Sequence, residues 1–218
     1  MPNTEKPNCE VCGDTGWIEK SGGMVQCECV ARKAKQHRMK VIIEQSGLIG
    51  SLKEKTFDNF IPKSKQQKYV LEQVKKGDSF FLVGPFGTGK THLLAASVNE
   101  ALKRGVMAVF FSVPWLLEII RGDLLSGKKI GIMEKVCEVE YLALDDLGKE
   151  KPTDTVQEKL FMILDRREVC GLRTSVTSNL GPETLASERL DGAIISRITG
   201  MCQLLLLEGS DYRKEKKK

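Results

Sequence analysis

The run GPFGTGKT, residues 84–91, restricts the fold of this chain more than any other stretch of its sequence. It fits the pattern G-x-x-x-x-G-K-[ST], and it lies between an apolar strand-like run at 79–83 and a helical pattern that starts at Lys90. In that setting the glycines let backbone amides wrap around phosphate groups at the positive end of a helix. The sequence therefore predicts a phosphate cradle between a strand and a helix.

The residues of this cradle have separate expected roles. Lys90 reaches the β- and γ-phosphates of a nucleotide, and the Thr91 hydroxyl binds magnesium. The sequence thus predicts ATP and Mg²⁺ as ligands. The expected binding residues are Gly84, Pro85, Phe86, Gly87, Thr88, Gly89, Lys90, Thr91 and His92.

A second run, YLALDDLG at 141–148, ends an apolar strand with two consecutive acids. Carboxylates are rarely buried unless they are paired or bound to a cation. With the cradle upstream, Asp145 is predicted to complete the magnesium shell from a strand next to the cradle strand. Asp146 is predicted to orient the attacking water. A glutamate is more usual at that position, so the shorter aspartate predicts slow hydrolysis.

Strand and helix patterns alternate along the rest of the chain. Strands are predicted at 79–83, 106–111, 141–145, 173–179 and 203–208, with helices between them, one of them from about 154 to 169. Such alternation predicts an α/β fold with a parallel sheet covered on both faces. Thr155 and Glu158 have the spacing of a capping box.

Asn179 is the last residue of the strand predicted at 173–179. An amide at that strand end can bridge the γ-phosphate and the attacking water, and an asparagine that caps the next helix is the alternative.

Composition places few further limits on function. Of the 218 residues, 41% are hydrophobic and 29% are charged, as in an ordinary soluble protein. We find no leader pattern and no apolar run of about 18 residues, and we therefore expect a cytoplasmic protein. Residues 30–56 contain seven basic and two acidic side chains. Such a run fits a solvated surface or a contact with phosphate backbones.

Four of the seven cysteines lie near the start of the chain, as Cys9-x-x-Cys12 and Cys27-x-Cys29. This spacing is close to that of Cys₄ zinc sites, and so small a polar segment cannot hold itself together by burial. We therefore predict Zn²⁺ in a zinc-knuckle-like module, with free thiols as the alternative and His37 as a substitute ligand. The other cysteines, Cys137, Cys170 and Cys202, are expected to be buried as small apolar residues.

Five motifs in this order, KTFDNF, GPFGTGKTHLL, LALDDLG, TSNL and SRITG, resemble the DnaC/DnaI-type replicative helicase loaders and the related IstB-like ATPases. The resemblance covers residues 53–213. It implies a P-loop AAA+ three-layer sandwich with a five-stranded parallel sheet and no sizeable C-terminal lid. It also implies an ATPase in DNA replication that self-associates on single-stranded DNA and binds a replicative helicase (DnaB-like).

The same resemblance assigns two arginines. Arg197 looks like the arginine finger that acts on a neighbouring subunit's nucleotide, with Arg189 as its rival, and Arg213 looks like the C-terminal sensor arginine. A surface or salt-bridge role is the alternative for each. The link 118–139 resembles an extra helix along the DNA path, with Arg121, Lys128 and Lys129 available for phosphates, and a plain helical hairpin is the alternative.

The expected organisation has four parts. These are a cysteine-rich module (1–30), a basic helical connector (31–55), an AAA+ ATPase domain (56–208) and a basic tail (209–218). Two other functions stay open. The first is an IstB-like ATPase that assists a transposase, and the second is a weakly hydrolysing adaptor switched by nucleotide.

Overall fold

The computed structural model describes residues 9–20, 22–30, 46–126, 131–149 and 153–215, and the chain divides into two units, Met1–Glu44 and Gln45–Lys218. Three predicted features lie outside the described residues: most of the connector helix, His37, and the pair Lys128 and Lys129. The four domain limits given above stay predictions.

The smaller unit contains one antiparallel hairpin. Strand β1, Trp17–Lys20, pairs with β2, Gly23–Gln26, and Ile18 lies opposite Val25. Ile18 also packs against the four buried cysteines. The cysteine cluster therefore serves as the core of this unit, and the predicted knuckle-like module is confirmed.

The larger unit is built on a five-stranded parallel sheet, which confirms the predicted fold class. Its strands lie in the order β4-β5-β6-β3-β7. They are β3 (Phe80–Val83), β4 (Ala108–Ser112), β5 (Tyr141–Leu147), β6 (Arg173–Ser178) and β7 (Gln203–Leu206).

The strand order corrects one prediction. The acids of β5 do not lie on a strand next to β3, because β6 pairs with both β3 and β5 and separates them. Helical crossovers allow a chain to skip a position in a sheet, so order along the chain does not determine which strands pair.

Helices cover both faces of the sheet. Alternate strand residues such as Phe81, Val83 and Leu144 join one apolar core with helices α3 to α7, and α2 packs on the opposite face beside α1. The helices are α1 (Lys65–Lys75), α2 (Lys90–Lys103), α3 (Val113–Ser126), α4 (Ile132–Glu138), α5 (Asp154–Val169), α6 (Pro182–Glu188), α7 (Gly192–Met201) and α8 (Tyr212–Glu215), with a 3₁₀ helix at Gly50–Glu54.

Helix α5 begins at Asp154 as predicted, but its N-cap lies two residues before the predicted capping box. Thr153 is its N-cap, and the Thr153 hydroxyl accepts a hydrogen bond from the Val156 amide at 3.4 Å. Thr155 already lies in the first helical turn, so the predicted cap at Thr155 and Glu158 was wrong. The sequence pattern did not separate two threonines that stand two positions apart.

The exposed edge of the sheet at β4 is partly covered. The Ser46 carbonyl accepts a hydrogen bond from the Phe110 amide at 2.6 Å. At Gly47 the φ angle is +74°, and a Cβ atom there would lie 2.0 Å from the Phe110 carbonyl oxygen, so only glycine fits. This contact satisfies part of an edge that could otherwise pair with another chain.

Arg167 is fully buried between α4, α5 and β6. Its guanidinium donates to the carbonyls of Val136, Val139 and Arg173 and to the Thr174 hydroxyl. Desolvation lowers the pKa of Arg167 to about 10. Nearby Cys170 is exposed, unlike the buried Cys202, so the prediction that it is buried was wrong. Cys170 follows the last turn of α5, where the helix has reached the surface.

None of the described helices is long and apolar enough to span a membrane.

Candidate nucleotide-binding site

The phosphate cradle connects β3 to the first turn of α2. Lys90 is 5% exposed, and its Nζ donates to the carbonyls of Gly84 and Pro85 at 2.7 Å each. The Thr88 hydroxyl also donates to Pro85, at 3.0 Å. The loop therefore curves around its own lysine and leaves the N-terminus of α2 at its open end.

Two glycines of the cradle have positive φ and a crowded Cβ position. At Gly87 a Cβ would overlap the carboxylate of Asp211, and at Gly89 it would lie 2.7 Å from the ring of Phe60. Their φ angles are +76° and +101°. Any larger residue would strain the backbone and displace a neighbour.

Asp145 is held by two threonine hydroxyls and is only 4% exposed. Thr91 donates to its two oxygens at 3.1 and 3.0 Å, and Thr177 donates at 2.6 Å. Desolvation raises the pKa of Asp145 above its ordinary value, while these hydrogen bonds oppose the rise. Among the described residues no basic side chain forms an ion pair with Asp145.

An extra residue in β5 brings Asp146 to the same sheet edge. Leu144 pairs with Val176 and Leu147 with Ser178, so β5 uses one residue more than β6 over this stretch. Asp146 has a φ of +63°, in the left-handed region. In a regular strand consecutive side chains point to opposite faces, and the bulge changes that alternation. Two adjacent carboxylates can therefore both serve the carboxyl end of the sheet.

The carboxylate of Asp146 pairs with a lysine that the sequence patterns did not single out. Lys149 Nζ lies 2.7 Å from Asp146 Oδ2 and 5.7 Å from the centre of the Phe86 ring. Lys149 stands three residues after the acid in a turn, and no local motif marks it.

A cavity of about 590 Å³ collects most of the predicted binding residues. Residues from the predicted set that line it are Phe86, Gly87, Gly89, Lys90, Thr91, His92, Asp146 and Asn179. Its remaining lining residues are Ser51, Leu52, Lys55, Asn59, Phe60, Ile61, Lys149 and Tyr212. Four other predicted residues do not line the cavity but lie directly behind it. The carbonyls of Gly84 and Pro85 accept from Lys90, Thr88 donates to Pro85, and Asp145 accepts from Thr91.

His92 attaches the segment before α1 to the cradle helix. Its Nε2 lies 3.0 Å from the Thr56 carbonyl oxygen, and its ring meets the edge of Phe60 at 5.4 Å. Thr56 and Phe60 are the second and last residues of the KTFDNF run. That run signalled the family resemblance, but its place on the cavity wall could not be read from spacing.

The last described residues close another side of the cavity. The Tyr212 amide donates to the Gly87 carbonyl at 3.1 Å, and the Tyr212 hydroxyl donates to Ile61 and Gln67 at 2.8 and 3.0 Å. The side chain of Arg213 lies outside the described part of the chain. Its predicted sensor role stays a prediction, whereas the adjacent Tyr212 was missed.

Arg197 lies on α7 and does not line the cavity. Its guanidinium contacts Asp165 at 2.6 Å and Glu168 at 3.8 Å, and it stacks on the ring of Phe161 at 4.0 Å. Its rival, Arg189, is exposed at the end of α6. Within one chain neither arginine joins Lys90 and Asp146.

The residues present fit a magnesium ion bound with a nucleotide. Mg²⁺ prefers oxygen ligands and usually takes one or two carboxylates together with phosphate oxygens. Thr91 and Asp145 offer a hydroxyl and a buried carboxylate 3.0 Å apart, beside the cradle. A buried carboxylate with a raised pKa and no ion pair among the described residues is the environment that a bound cation would relieve.

The four N-terminal cysteines form a second candidate site, in the smaller unit. Their Sγ atoms all lie within 4.8 Å of one another, with Cys9 and Cys27 at 3.8 Å and Cys12 and Cys29 at 3.4 Å. Four thiolates around zinc at 2.3 Å would be about 3.8 Å apart, so the cluster fits a tetrahedral ion. Backbone amides lower the pKa of Cys9 to about 7, whereas the hydrogen bond with Cys12 raises the pKa of Cys29 to about 12. One thiolate therefore forms readily, and a bound cation would be needed to hold all four.

These features define a P-loop nucleotide-binding protein of the AAA+ class. The profile of the IstB-like ATP binding proteins matches residues 15–218, and the chain belongs to that family.

Known relatives agree with this assignment. The uncharacterized protein YdaV of Escherichia coli (strain K12) is 31% identical over 184 residues, which are 78% of this chain and 73% of that protein. The replicative helicase loader DnaC of Buchnera aphidicola subsp. Schizaphis graminum (strain Sg) is 26% identical over 230 residues, 98% of this chain and 91% of that protein. The crystal structure of the DnaC helicase loader matches with a TM-score of 0.67 and 25% identity, over 73% of this chain and 99% of that one. The resemblance to helicase loaders is confirmed.

Replacing Asp145 by asparagine is expected to stabilise the protein without ligands. The amide removes a buried charge and keeps one oxygen to accept from Thr177. The melting temperature of Asp145→Asn in EDTA should exceed that of the wild type at neutral pH, while magnesium no longer strengthens ATP binding. Asp58→Asn, at an exposed position, is the control and should melt like the wild type.

The pH dependence follows from the raised pKa of Asp145. A raised pKa in the folded state means that the wild type is most stable below the unfolded pKa and loses stability as pH rises through the folded pKa. The difference between variant and wild type should therefore be small at about pH 4 and grow towards neutral pH. A variant that melts below the wild type at neutral pH would contradict this account.

The cysteine cluster predicts about one zinc per chain in protein prepared without added metal, measured by elemental analysis. Changing both Cys9 and Cys12 to serine should abolish the zinc signal, because a tetrahedral site cannot hold with two ligands lost. The exposed Cys170→Ser variant serves as control and should keep the metal. A metal-free wild type with a folded N-terminal unit would refute the site.

Proposed function

We propose that this protein is an ATP-hydrolysing helicase loader that binds single-stranded DNA and a replicative helicase (DnaB-like) in DNA replication. The observation that carries the proposal is the cavity in which Lys90, Asp146 and Asn179 converge, from three different strand ends, in a chain similar to a helicase loader over nearly its whole length. Parallel α/β sheets bind ligands at this edge.

The proposed reaction assigns each side chain a task. Lys90 leaves its own loop carbonyls and binds the β- and γ-phosphates, while Thr91 and Asp145 hold Mg²⁺. When bound, the ion would neutralise negative charge on the phosphates. Asp146 accepts a hydrogen bond from the attacking water, and Asn179 orients that water against the γ-phosphate.

Lys149 provides a reason to expect slow turnover in the isolated chain. Its ammonium donates to one oxygen of Asp146 at 2.7 Å, so it competes with the attacking water for that carboxylate. The pair is exposed enough to be worth only about 0 to 1 kcal/mol, so a ligand or a neighbouring chain can break it.

The DNA contact is proposed to be electrostatic. Arg121 on α3 is exposed and pairs only weakly, with Glu118 one turn away. Together with the basic residues at 30–56 it offers cations for a phosphate backbone. Self-association through AAA+ interfaces and a cytoplasmic location belong to the same proposal.

Two alternatives have a specific observation behind them. The family description favours an IstB-like ATPase that assists a transposase. The occupied carboxylate of Asp146 favours an adaptor that binds ATP and barely hydrolyses it.

Purified protein should retain the replicative helicase of the same cell and should hydrolyse ATP faster with single-stranded than with duplex DNA. Single-turnover hydrolysis and a pull-down with purified helicase measure the two properties. Lys90→Ala should lose nucleotide binding, because the charge on the phosphates is gone. The surface variant Lys75→Ala, whose ammonium pairs with Glu72, is the matched lysine control.

The outcomes separate the three functions. Retention of a transposase and not of the helicase would favour the IstB-like alternative. Tight ATP binding with no DNA-stimulated turnover would favour the adaptor.

We propose that Arg197 acts on the nucleotide of a neighbouring subunit. Arg197→Ala and Lys90→Ala chains should each be nearly inactive alone, and mixing them should restore ATPase activity. Some interfaces in the mixture pair an intact cradle with an intact arginine. Turnover of the separate and mixed chains is the measurement.

Asp165→Ala separates this role from a structural one. If Arg197 serves only its ion pair with Asp165, both single variants should lose activity equally. If Arg197 is the finger, Asp165→Ala should retain turnover. Recovery with Arg189→Ala in place of Arg197→Ala would assign the finger to Arg189. Mixed chains that assemble but stay inactive would refute action across the interface.

A further inference from the structure

One buried hydroxyl on β6 touches both acids of β5. Thr177 is 0% exposed, and its Oγ1 donates to Asp145 Oδ1 at 2.6 Å and accepts from the Asp146 amide at 3.1 Å. We infer that Thr177 is a positioning residue for the proposed hydrolysis: it orients the carboxylate that holds magnesium and fixes the backbone that presents the water-orienting carboxylate. The inference rests on the proposed function.

The hydroxyl chemistry suits this double contact. A threonine hydroxyl has one proton to donate and two lone pairs that accept. Since the hydroxyl proton is donated in the hydrogen bond to Asp145, the oxygen lone pairs can accept from the Asp146 amide. Valine has the same shape without the hydroxyl, and serine has the hydroxyl without the methyl group.

The bond to Asp145 does not compete with ligand binding. Thr91 also donates to Asp145, but the Thr91 hydroxyl is the group expected to turn towards a metal ion. Thr177 lies on the neighbouring strand and is fully buried, so it can keep the carboxylate oriented whether or not a ligand is bound. Residues behind a metal ligand are known to control its orientation.

The bond to Asp146 stabilises an unfavourable backbone. A residue with a Cβ atom avoids a φ of +63°, and the extra residue at the bulge interrupts the ladder of strand hydrogen bonds. The Thr177 hydroxyl accepts the hydrogen bond from the Asp146 amide, in place of the strand partner that the bulge removes. On the next residue, the Ser178 hydroxyl donates to the Leu147 carbonyl at 2.7 Å. The two hydroxyls therefore hold β5 at Asp146 and Leu147, where the strand leaves the bulge.

This arrangement also places Asn179 relative to the acids. Asn179 follows Ser178 directly at the end of β6 and lines the cavity with Asp146. A shift of the bulge would change the spacing between the two side chains proposed to hold the attacking water.

The test compares Thr177→Val with Thr177→Ser, and uses Ser175→Ala as a matched control. Ser175 lies on the same strand and is also fully buried. Its hydroxyl accepts a hydrogen bond from the Phe80 amide, on the other side of β6 from the strand that carries the acids. Two properties are measured: kcat and KM for ATP, and the ratio of ATP affinities with magnesium and with EDTA. The second readout reports on magnesium binding without any hydrolysis.

Thr177→Val is expected to lower kcat about tenfold or more and to reduce the magnesium-dependent gain in ATP affinity by a similar factor, as for other residues behind a metal ligand. KM for ATP should change by less than about threefold, since Lys90 and the cradle stay intact. Thr177→Ser should restore both values to within about threefold of the wild type, and Ser175→Ala should match the wild type.

A Thr177→Val protein with wild-type kcat and a wild-type magnesium effect would overturn the inference, as would a Thr177→Ser protein as impaired as the valine variant. A wild type that neither binds ATP with magnesium nor hydrolyses it would instead overturn the proposed function. If Thr177→Val does not unfold cooperatively, Thr177→Cys, with similar volume and a weaker donor, takes its place against Thr177→Ser. Equal magnesium effects in those two variants would count against the inference.

Discussion

The bulge in β5 is the constraint on which the rest of the candidate site depends. The extra residue between Leu144 and Leu147 gives Asp146 a φ of +63° and lets two neighbouring acids reach one edge of the sheet. The bulge persists because β6 supplies side-chain hydroxyls where the strand ladder is interrupted. The site is therefore fixed by contacts between two neighbouring strands, and its precision does not depend on the glycine-rich loop alone.

The same site buries two charged side chains, Lys90 and Asp145, and removing them from water costs free energy. Lys90 is 5% and Asp145 is 4% exposed, and desolvation disfavours the ionised carboxylate. The large apolar core between the sheet and helices α3 to α7 supplies the stability that tolerates them. A nucleotide with magnesium brings opposite charges to both groups. Ligand binding and stability should thus be coupled, because the ligand relieves a cost that the empty site carries.

Local patterns predicted the parts of the structure that local physics determines. The cradle at 84–91, the five strands and the start of α2 at Lys90 follow from apolar runs and from the glycine spacing. Such patterns could not predict the strand order or the site contacts of Thr177, Phe60 and Tyr212, because these depend on segments distant in the chain. Tyr212 reaches Gln67 across 145 positions, and Thr177 reaches Asp145 across 32. Asp146 was predicted to orient the attacking water, but nothing local showed that Lys149 would pair with it.

The ion pair of Arg197 does not argue against its proposed action on a neighbouring subunit. Its side chain is 23% and that of Asp165 is 42% exposed, so solvent screens the pair. Such a pair contributes about 0 to 1 kcal/mol, and the stacking on Phe161 adds about 0.5 to 1 kcal/mol. An arginine finger accelerates phosphoryl transfer about 10³- to 10⁵-fold, equivalent to about 4 to 7 kcal/mol in the transition state. The contacts within one chain are the weaker set, and they can keep the arginine ordered until a neighbour's phosphate replaces them.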